Sequence, residues 1–468
     1  MKHRTVTIDP VTRIEGRAKI TIWLDDRGDV KDAHFSVFDL RMFEKFLEGR
    51  PVEEAPQIVT RICGICPVSH HLASAKACDM LFDVEPTETG TLIRELMHMG
   101  QYIHSHSLHF FFLAGPDFFA KGREQGLLAL IREKPEVAKK AIQVRKVGQK
   151  IVEKTGGRAI HPVTALPGGV TKKLSKKEVD EMAADLSSVE KDLRDLVNAC
   201  KEGLLDKKKL MLNLDSQRSY YGSLLNNGDF NLYDGIMRII TSDGKIAEEL
   251  SPNNYLTQIG ERVEPWTYLK FPFYKKAGWP DGAYRVGPLA RLNVAERIPT
   301  PEADREFTEF KSEFGKPAHN TLLYNWARLI ELYYAVERAK EIVEHEKTAA
   351  NDVRRPFKIK KGEGVGIIEA PRGTLIHHYA ANDEGIIERA NLIVATTQNN
   401  THINRSVRDV AKRRIQSGRI DERVLNDIEV VVRAYDPCLS CSTHMSDQTD
   451  LEVAILNEDG ERLKVLTR

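Results

Sequence analysis

Two Cys-x-x-Cys elements stand near opposite ends of this chain of 468 residues. The first is Arg61-Ile62-Cys63-Gly64-Ile65-Cys66-Pro67-Val68-Ser69-His70, and the second is Asp436-Pro437-Cys438-Leu439-Ser440-Cys441-Ser442-Thr443-His444. A fold that uses all four sulfurs at one centre must join residues as distant as Cys66 and Cys438, 372 positions apart. Cysteines at i and i+3 converge when the backbone between them turns tightly. Gly64 permits such a turn, and Pro67 can open a helix through Val68 to Phe82. A thiol close to a helix start has its pKa lowered, and the thiolate is the form that binds metal. Structural zinc is one reading of four thiolates. Zinc ribbons, however, place their pairs ~15–20 residues apart. A thioredoxin-type redox pair is another, although neither element follows the strand–helix pattern that chemistry needs.

Composition narrows the field further. Lys plus Arg (69) and Asp plus Glu (68) nearly balance, which removes the electrostatic warrant for a nucleic-acid or membrane-surface partner. With 41% hydrophobic and 29% charged residues the chain can bury a large core, and long disorder, collagen and coiled-coil rods are excluded. At ~150 residues per domain the length allows three domains or one large one. Residues Met1–Gly16 contain no apolar signal region, and Phe110–Ala114 is far too short to span a membrane. Six cysteines are too few for a disulfide framework. A reducing cytoplasm is the expected compartment.

Val6, Ile8, Ala18, Ile20, Ile22 and Leu24, then Val30, Ala33, Phe35 and Val37, alternate with polar residues around Asp25-Asp26-Arg27-Gly28. That pattern predicts a small N-terminal antiparallel sheet. Helical spacing runs from about Thr91 to Phe119, and Thr321 to about His345 reads as another helix. Ser175-Lys176-Lys177-Glu178 has capping-box form and opens a helix to about Cys200. Tyr255–Val294 reads as irregular and strand-containing, and Leu451–Leu466 as a hairpin around Asn457-Glu458-Asp459-Gly460. With no repeat or low-complexity linker, a single α+β unit over 1–468 is expected, mostly helical with a central helix bundle.

Three further signals have bland readings. Gly362-Glu363-Gly364-Val365-Gly366 has no helix after it and is poor evidence for dinucleotide binding. His98, His106 and His109 share one helical face and read as packed or hydrogen-bonded core histidines. Lys172-Lys173, Lys176-Lys177 and Lys207-Lys208-Lys209 read as solvated helix faces or ends.

The spacing Arg61-x-Cys63-Gly64-x-Cys66-x-x-x-His70 with Asp436-Pro437-Cys438-x-x-Cys441-x-x-His444 resembles the two signatures of nickel–iron hydrogenase large subunits. Asp9-Pro10-Val11-Thr12-Arg13-Ile14-Glu15-Gly16 resembles the family's opening motif, and Glu369-Ala370-Pro371-Arg372-Gly373 its arginine-bearing loop. Tyr284–Val294 and Val394–Asn400 resemble features shared with the NAD-reducing branch, while the whole is most similar to the cytoplasmic methyl-viologen-reducing type that feeds heterodisulfide reductase.

The resemblance implies nickel on Cys63, Cys66, Cys438 and Cys441, with Cys66 and Cys441 bridging to an iron that carries carbon monoxide and cyanide. It implies Cys438 as first proton acceptor, Arg372 over the open metal position with Asp436 as its charge partner and Pro371 beside it, and Glu15 as proton gate. His70 would hydrogen-bond a bridging thiolate and Thr396 a cyanide. Glu44, the Leu392 carbonyl and His444 would hold magnesium or iron near the C-terminus. Three positions depart from the family pattern: Ser105 replaces an aspartate, Arg17 a histidine, and Met42 the glycine before Phe43-Glu44.

Subtracting four ligands leaves Cys78 and Cys200, so the chain carries no iron–sulfur cluster, and no flavin is expected on it. Electrons from dihydrogen then need an iron–sulfur small subunit, with heterodisulfide reductase or diaphorase subunits beyond it. The resemblance also implies a nickel chaperone and a protease that cuts between His444 and Met445, removing residues 445–468. Two readings of another class stand beside these: a non-catalytic relative such as the quinone-site subunit of respiratory complex I, and a scaffold stapled by structural zinc on the four cysteines.

Overall fold

The alternating N-terminal residues form three antiparallel strands, Arg4–Ile8, Lys19–Leu24 and Val30–Ser36, in sequential order. Ile20, Ile22 and Leu24 are buried on one face, as the period of two requires. The turn closes where the Gly28 N–H donates to the Asp25 carbonyl at 3.0 Å. This computed structural model describes residues 4–119 and 131–443, and the backbone of two later strands, Glu452–Leu456 and Arg462–Thr467. Those two pair antiparallel, in keeping with the expected hairpin, while its turn lies outside the described residues.

Helices fill the middle of the molecule. Pro67–Phe82 is buried on nearly every side and carries little amphipathic character, so it runs through the core instead of along its surface. The helix expected from Thr91 starts at Glu88, because the Thr87 hydroxyl accepts the Gly90 N–H at 3.0 Å and caps it earlier. It ends at Leu108 and continues through a π-helical turn, His109–Ala114, into Gly115–Phe119. Against it pack Pro135–Gly156 and Tyr324–Glu344, with Lys176–Asp206 on their outer side. The Ser175–Glu178 capping box is present, and its helix runs six residues beyond Cys200, to Asp206.

Two sheets have no separate signature in the sequence. One contains Tyr220–Asn226, Ile236–Ile240 and Ile246–Leu250, with Tyr284–Arg285 added in parallel at its edge. The other is antiparallel: Gly362–Ala370, Gly373–Ala381 and Ile387–Ile393. Most of its first two strands is buried, so the sequence there reads as a continuous apolar run without alternation. The glycine-rich stretch Gly362–Gly366 belongs to this sheet and faces the Pro67–Phe82 helix. An ideal Cβ on Gly364 would lie 2.0 Å from the Ala77 carbonyl oxygen, and one on Gly366 1.9 Å from that of Ala73. Close helix–strand contact is why glycine stands at both positions. Among the described residues no helix is long and apolar enough to cross a membrane.

Candidate metal centre

A short 3₁₀ turn, Val59–Ile62, delivers Cys63 in extended backbone, and Cys66 stands immediately before the Pro67 helix. Gly64 does not adopt the left-handed conformation that only glycine takes easily, so its freedom is not what makes this turn. The Ile65 N–H donates to the Cys63 sulfur at 3.2 Å. At the other end, helix Glu422–Tyr435 stops where Asp436 turns left-handed (φ 54°), and Cys438 leads into the short helix Leu439–Ser442.

The four sulfurs meet. Their separations are 3.4 Å for Cys63–Cys438, 3.1 Å for Cys66–Cys441, 3.9 Å for Cys66–Cys438 and 2.9 Å for Cys438–Cys441. All four lie within 4.8 Å of one another and all are buried. Thiolates about 2.3 Å from a common metal sit ~3.8 Å apart, within the span seen here. Four packed thiols cannot all ionise alone. Hydrogen bonds from Cys438, Cys441 and Cys66 hold Cys63 well below the usual thiol range, whereas burial pushes Cys438 and Cys441 well above it. Cys66 is raised despite its helix start: bonds from Cys438 and Cys441 favour its thiolate, but its contact with Cys63 and its burial outweigh them.

Arg372 lies beside this cluster. Its Nε donates to the Asp436 carbonyl at 2.8 Å and its Nη2 to Asp436 Oδ1 at 2.9 Å, while Nη1 is buried with no partner among the described residues. Burial opposes the arginine charge, but Asp436 and the sulfurs of Cys438, Cys66 and Cys63 more than offset it, so Arg372 stays a cation. Ser105 Oγ and Asp436 Oδ2 are likewise buried and unpartnered. Glu15 pairs its backbone with the second cysteine element, bridging to Cys438 and accepting the Leu439 N–H at 3.2 Å. Its carboxylate accepts the Ser440 N–H (3.0 Å) and hydroxyl (2.5 Å). Both residues are half-buried. The Thr396 hydroxyl accepts the Cys438 N–H at 3.0 Å. His70 is buried and bonds through Nδ1 to His377 Nε2 at 3.1 Å, and His377 Nδ1 bonds the Tyr379 hydroxyl at 2.7 Å. Arg17 is exposed and reaches Asp9 at 3.2 Å.

A second polar cluster surrounds Glu44. Its Oε1 accepts the Leu392 N–H at 2.8 Å and Lys270 Nζ at 3.0 Å. Lys270 also lies 3.4 Å from Glu261 Oε2, and Glu261 Oε1 is buried without a partner. Burial raises the Glu44 carboxyl to about 7. Two carboxylates, one with an oxygen unpartnered among the described residues, are the donor type a hard divalent cation takes. Leu392 meets Glu44 through its N–H, and His444 and Met445 lie outside the described residues. Lys270 and Glu261 escaped sequence reasoning, since a lysine and a glutamate in a strand pair read as surface residues.

Three histidines of one helical face and the two remaining cysteines are placed as their spacing suggests. His98 bonds the Glu369 carbonyl, His106 bonds Glu331, and His109 bonds the Arg433 carbonyl, each at 2.8 Å, as core histidines do. Cys78 and Cys200 are buried and free. Lys176 and Lys208 pair with Asp180 and Glu313 on helix surfaces, and Lys172, half-buried in the segment before the Lys176–Asp206 helix, pairs with Glu178.

Residues 41–121 and 215–444 match the family model described as nickel-dependent hydrogenase, and residues 5–40 match one described as HoxL-like. The chain is 45% identical over 454 residues to a chain of the F420-non-reducing hydrogenase of Methanothermobacter marburgensis, covering 94% of this chain and 95% of that one. It is 39% identical to the NAD-reducing hydrogenase HoxS subunit beta of Cupriavidus necator, covering 98% of each. A crystal structure of NAD+-reducing [NiFe]-hydrogenase in the H2-reduced state superposes with a TM-score of 0.91 at 42% identity, covering 94% of this chain and 99% of that one.

Proposed function

This chain belongs to the nickel-dependent hydrogenase family, and from that premise we propose that it is the large subunit in which dihydrogen is reversibly split into protons and electrons. The observation that carries the reading is the buried meeting of Cys63, Cys66, Cys438 and Cys441 against the Arg372–Asp436 ion pair. Soft thiolates suit nickel and low-valent iron, with carbon monoxide and cyanide as the iron's other ligands in this proposal. When bound, these metals supply the redox-active centre that takes the electron pair.

The protein's part is to hold and move protons. Cys438 receives the first at Sγ. Glu15, hydrogen-bonded to Ser440 two residues further on, passes it toward the surface. Arg372 stays protonated and presents its unpaired Nη1–H to the charge that develops as the H–H bond polarises. Asp436 fixes the guanidinium in place. His70 and Thr396 orient the sulfurs and iron ligands. Glu44 and His444, with the Leu392 carbonyl, would hold magnesium or iron as a structural cation.

Electrons leave through a partner. Relatives named as subunits of larger hydrogenases support a multi-subunit enzyme with an iron–sulfur small subunit. Arg61 and Gly64 beside the buried cysteines are exposed, so a partner docked over this turn approaches the centre closely. We place the complex in the cytoplasm, with heterodisulfide reductase-type subunits as acceptor. The C. necator relative and the 0.91 superposition favour diaphorase subunits as the second reading. Residues 445–468 are proposed as an extension cut after His444. Elemental analysis of the purified complex with dihydrogen-dependent dye reduction tests the assignment. One nickel per large subunit, with iron in excess from the partner's iron–sulfur clusters, and activity are expected, and zinc in place of nickel without activity refutes it.

A further inference from the structure

A second arginine grips the loop that carries Arg372. Arg291 lies on the short helix Pro288–Val294 and is fully buried. Its five N–H bonds meet five acceptors. Nε donates to Glu331 Oε1 (2.5 Å), and Nη2 donates to Glu331 Oε2 (2.7 Å) and the Pro371 carbonyl (3.1 Å). Nη1 donates to Glu369 Oε2 (2.7 Å) and the Ala370 carbonyl (3.0 Å). The anchors are themselves held: His106 bonds Glu331 at 2.8 Å, and Glu369 Oε1 accepts the Leu224 N–H at 2.9 Å and the Thr374 hydroxyl at 2.7 Å. Tyr102 and His98 both bond the Glu369 carbonyl at 2.8 Å. Three consecutive carbonyls, Glu369, Ala370 and Pro371, are therefore clamped immediately before Arg372.

The two arginines divide the work. Arg291 has every donor committed within the protein, whereas Arg372 Nη1 has no partner among the described residues. We propose that Arg291 is a positioning residue for dihydrogen cleavage: its planar five-donor fork, seated on Glu331 and Glu369, fixes the loop that aims Arg372 at the metal centre. A lysine at 291 has the charge but a single nitrogen, which cannot reach both carboxylates and both carbonyls. The proposal rests on the role given to Arg372 above.

Exchange between H2 and D2O, followed with nickel per chain, tests it, because exchange needs no electron acceptor. Arg291→Lys and Glu331→Gln are each expected to keep nickel and to slow exchange about tenfold to a hundredfold, the scale of an ångström-sized misplacement. In an Arg372→Lys background Arg291→Lys should cost no more than about a further twofold, since its effect travels through the residue already lost. Losses that multiply overturn the positioning role alone. Exchange at the wild-type rate in Arg372→Lys overturns the role of Arg372 itself. Loss of nickel in proportion to exchange in both Arg291→Lys and Glu331→Gln assigns the cluster to folding and overturns the proposal.

Discussion

Replacing Gly366 with alanine should empty the metal centre from a distance. The added methyl would sit 1.9 Å from the Ala73 carbonyl oxygen and 2.6 Å from the Ala77 nitrogen, both backbone atoms that no rotamer change can move. Real Cβ contacts stay beyond 3.0 Å, so the Pro67–Phe82 helix must retreat from the sheet by roughly 1 Å. Cys66 stands immediately before the first turn of that helix, its sulfur 3.1 Å from Cys441 and 3.9 Å from Cys438. Metal–ligand distances tolerate about 0.2 Å. The shift exceeds that several-fold, and nickel content should fall at least about tenfold. Overpacking costs about 1–3 kcal/mol. In a chain this long, at about 2.1 cal/mol/K per residue, the melting midpoint moves by only ~1–3 °C. Nickel per chain is therefore the decisive assay, with Gly362→Ala on the same strand as control, since its methyl meets Leu81 only at ordinary contact distance, 3.4 Å from the carbonyl oxygen and 3.9 Å from Cγ. Full nickel in Gly366→Ala, or equal losses in both variants, would refute the reasoning.

Glu15→Gln keeps an acceptor for Ser440 but no transferable proton, so nickel content should hold while dihydrogen oxidation falls about 10²–10⁴-fold; an unchanged rate removes Glu15 from the proton path. Cys438→Ser should lose nickel, whereas Cys78→Ala and Cys200→Ala, buried elsewhere, should retain it by elemental analysis. His71 donates through Nδ1 to the Pro56 carbonyl and accepts the Ala165 N–H, and burial lowers its pKa to about 4. Between its unfolded value near 6.5 and about 4, the unfolded chain binds a proton that the folded chain refuses, so stability drops as pH falls. Relative to His71→Gln, the wild-type chain should lose about 2 kcal/mol between pH 7.5 and 5 in urea titrations; a constant difference contradicts this.

What the sequence revealed followed from how local each signal is. The Ser175 capping box and the N-terminal alternation are encoded within a few residues and appear in the fold as read. The four cysteines were legible because their spacing is rare. Gly364 and Gly366 were opaque, because their reason for being glycine is a helix almost 300 positions earlier. Lys270 with Glu261, and Arg291 with Glu331, were hidden for the same cause: a buried ion pair looks like two surface charges until tertiary structure removes the water.

The meeting of the two cysteine pairs also dictates a timetable. A nascent polypeptide displays Cys63 and Cys66 while the ribosome still has 372 residues to add before Cys438 follows Cys66, roughly 20–75 s at about 5–20 residues per second. Throughout that interval the early pair is a two-thiol fragment, open to stray copper or zinc. A centre of all four sulfurs can therefore be filled only after Cys438 and Cys441 have been made, and a translation product cut short before them lacks half of its ligands.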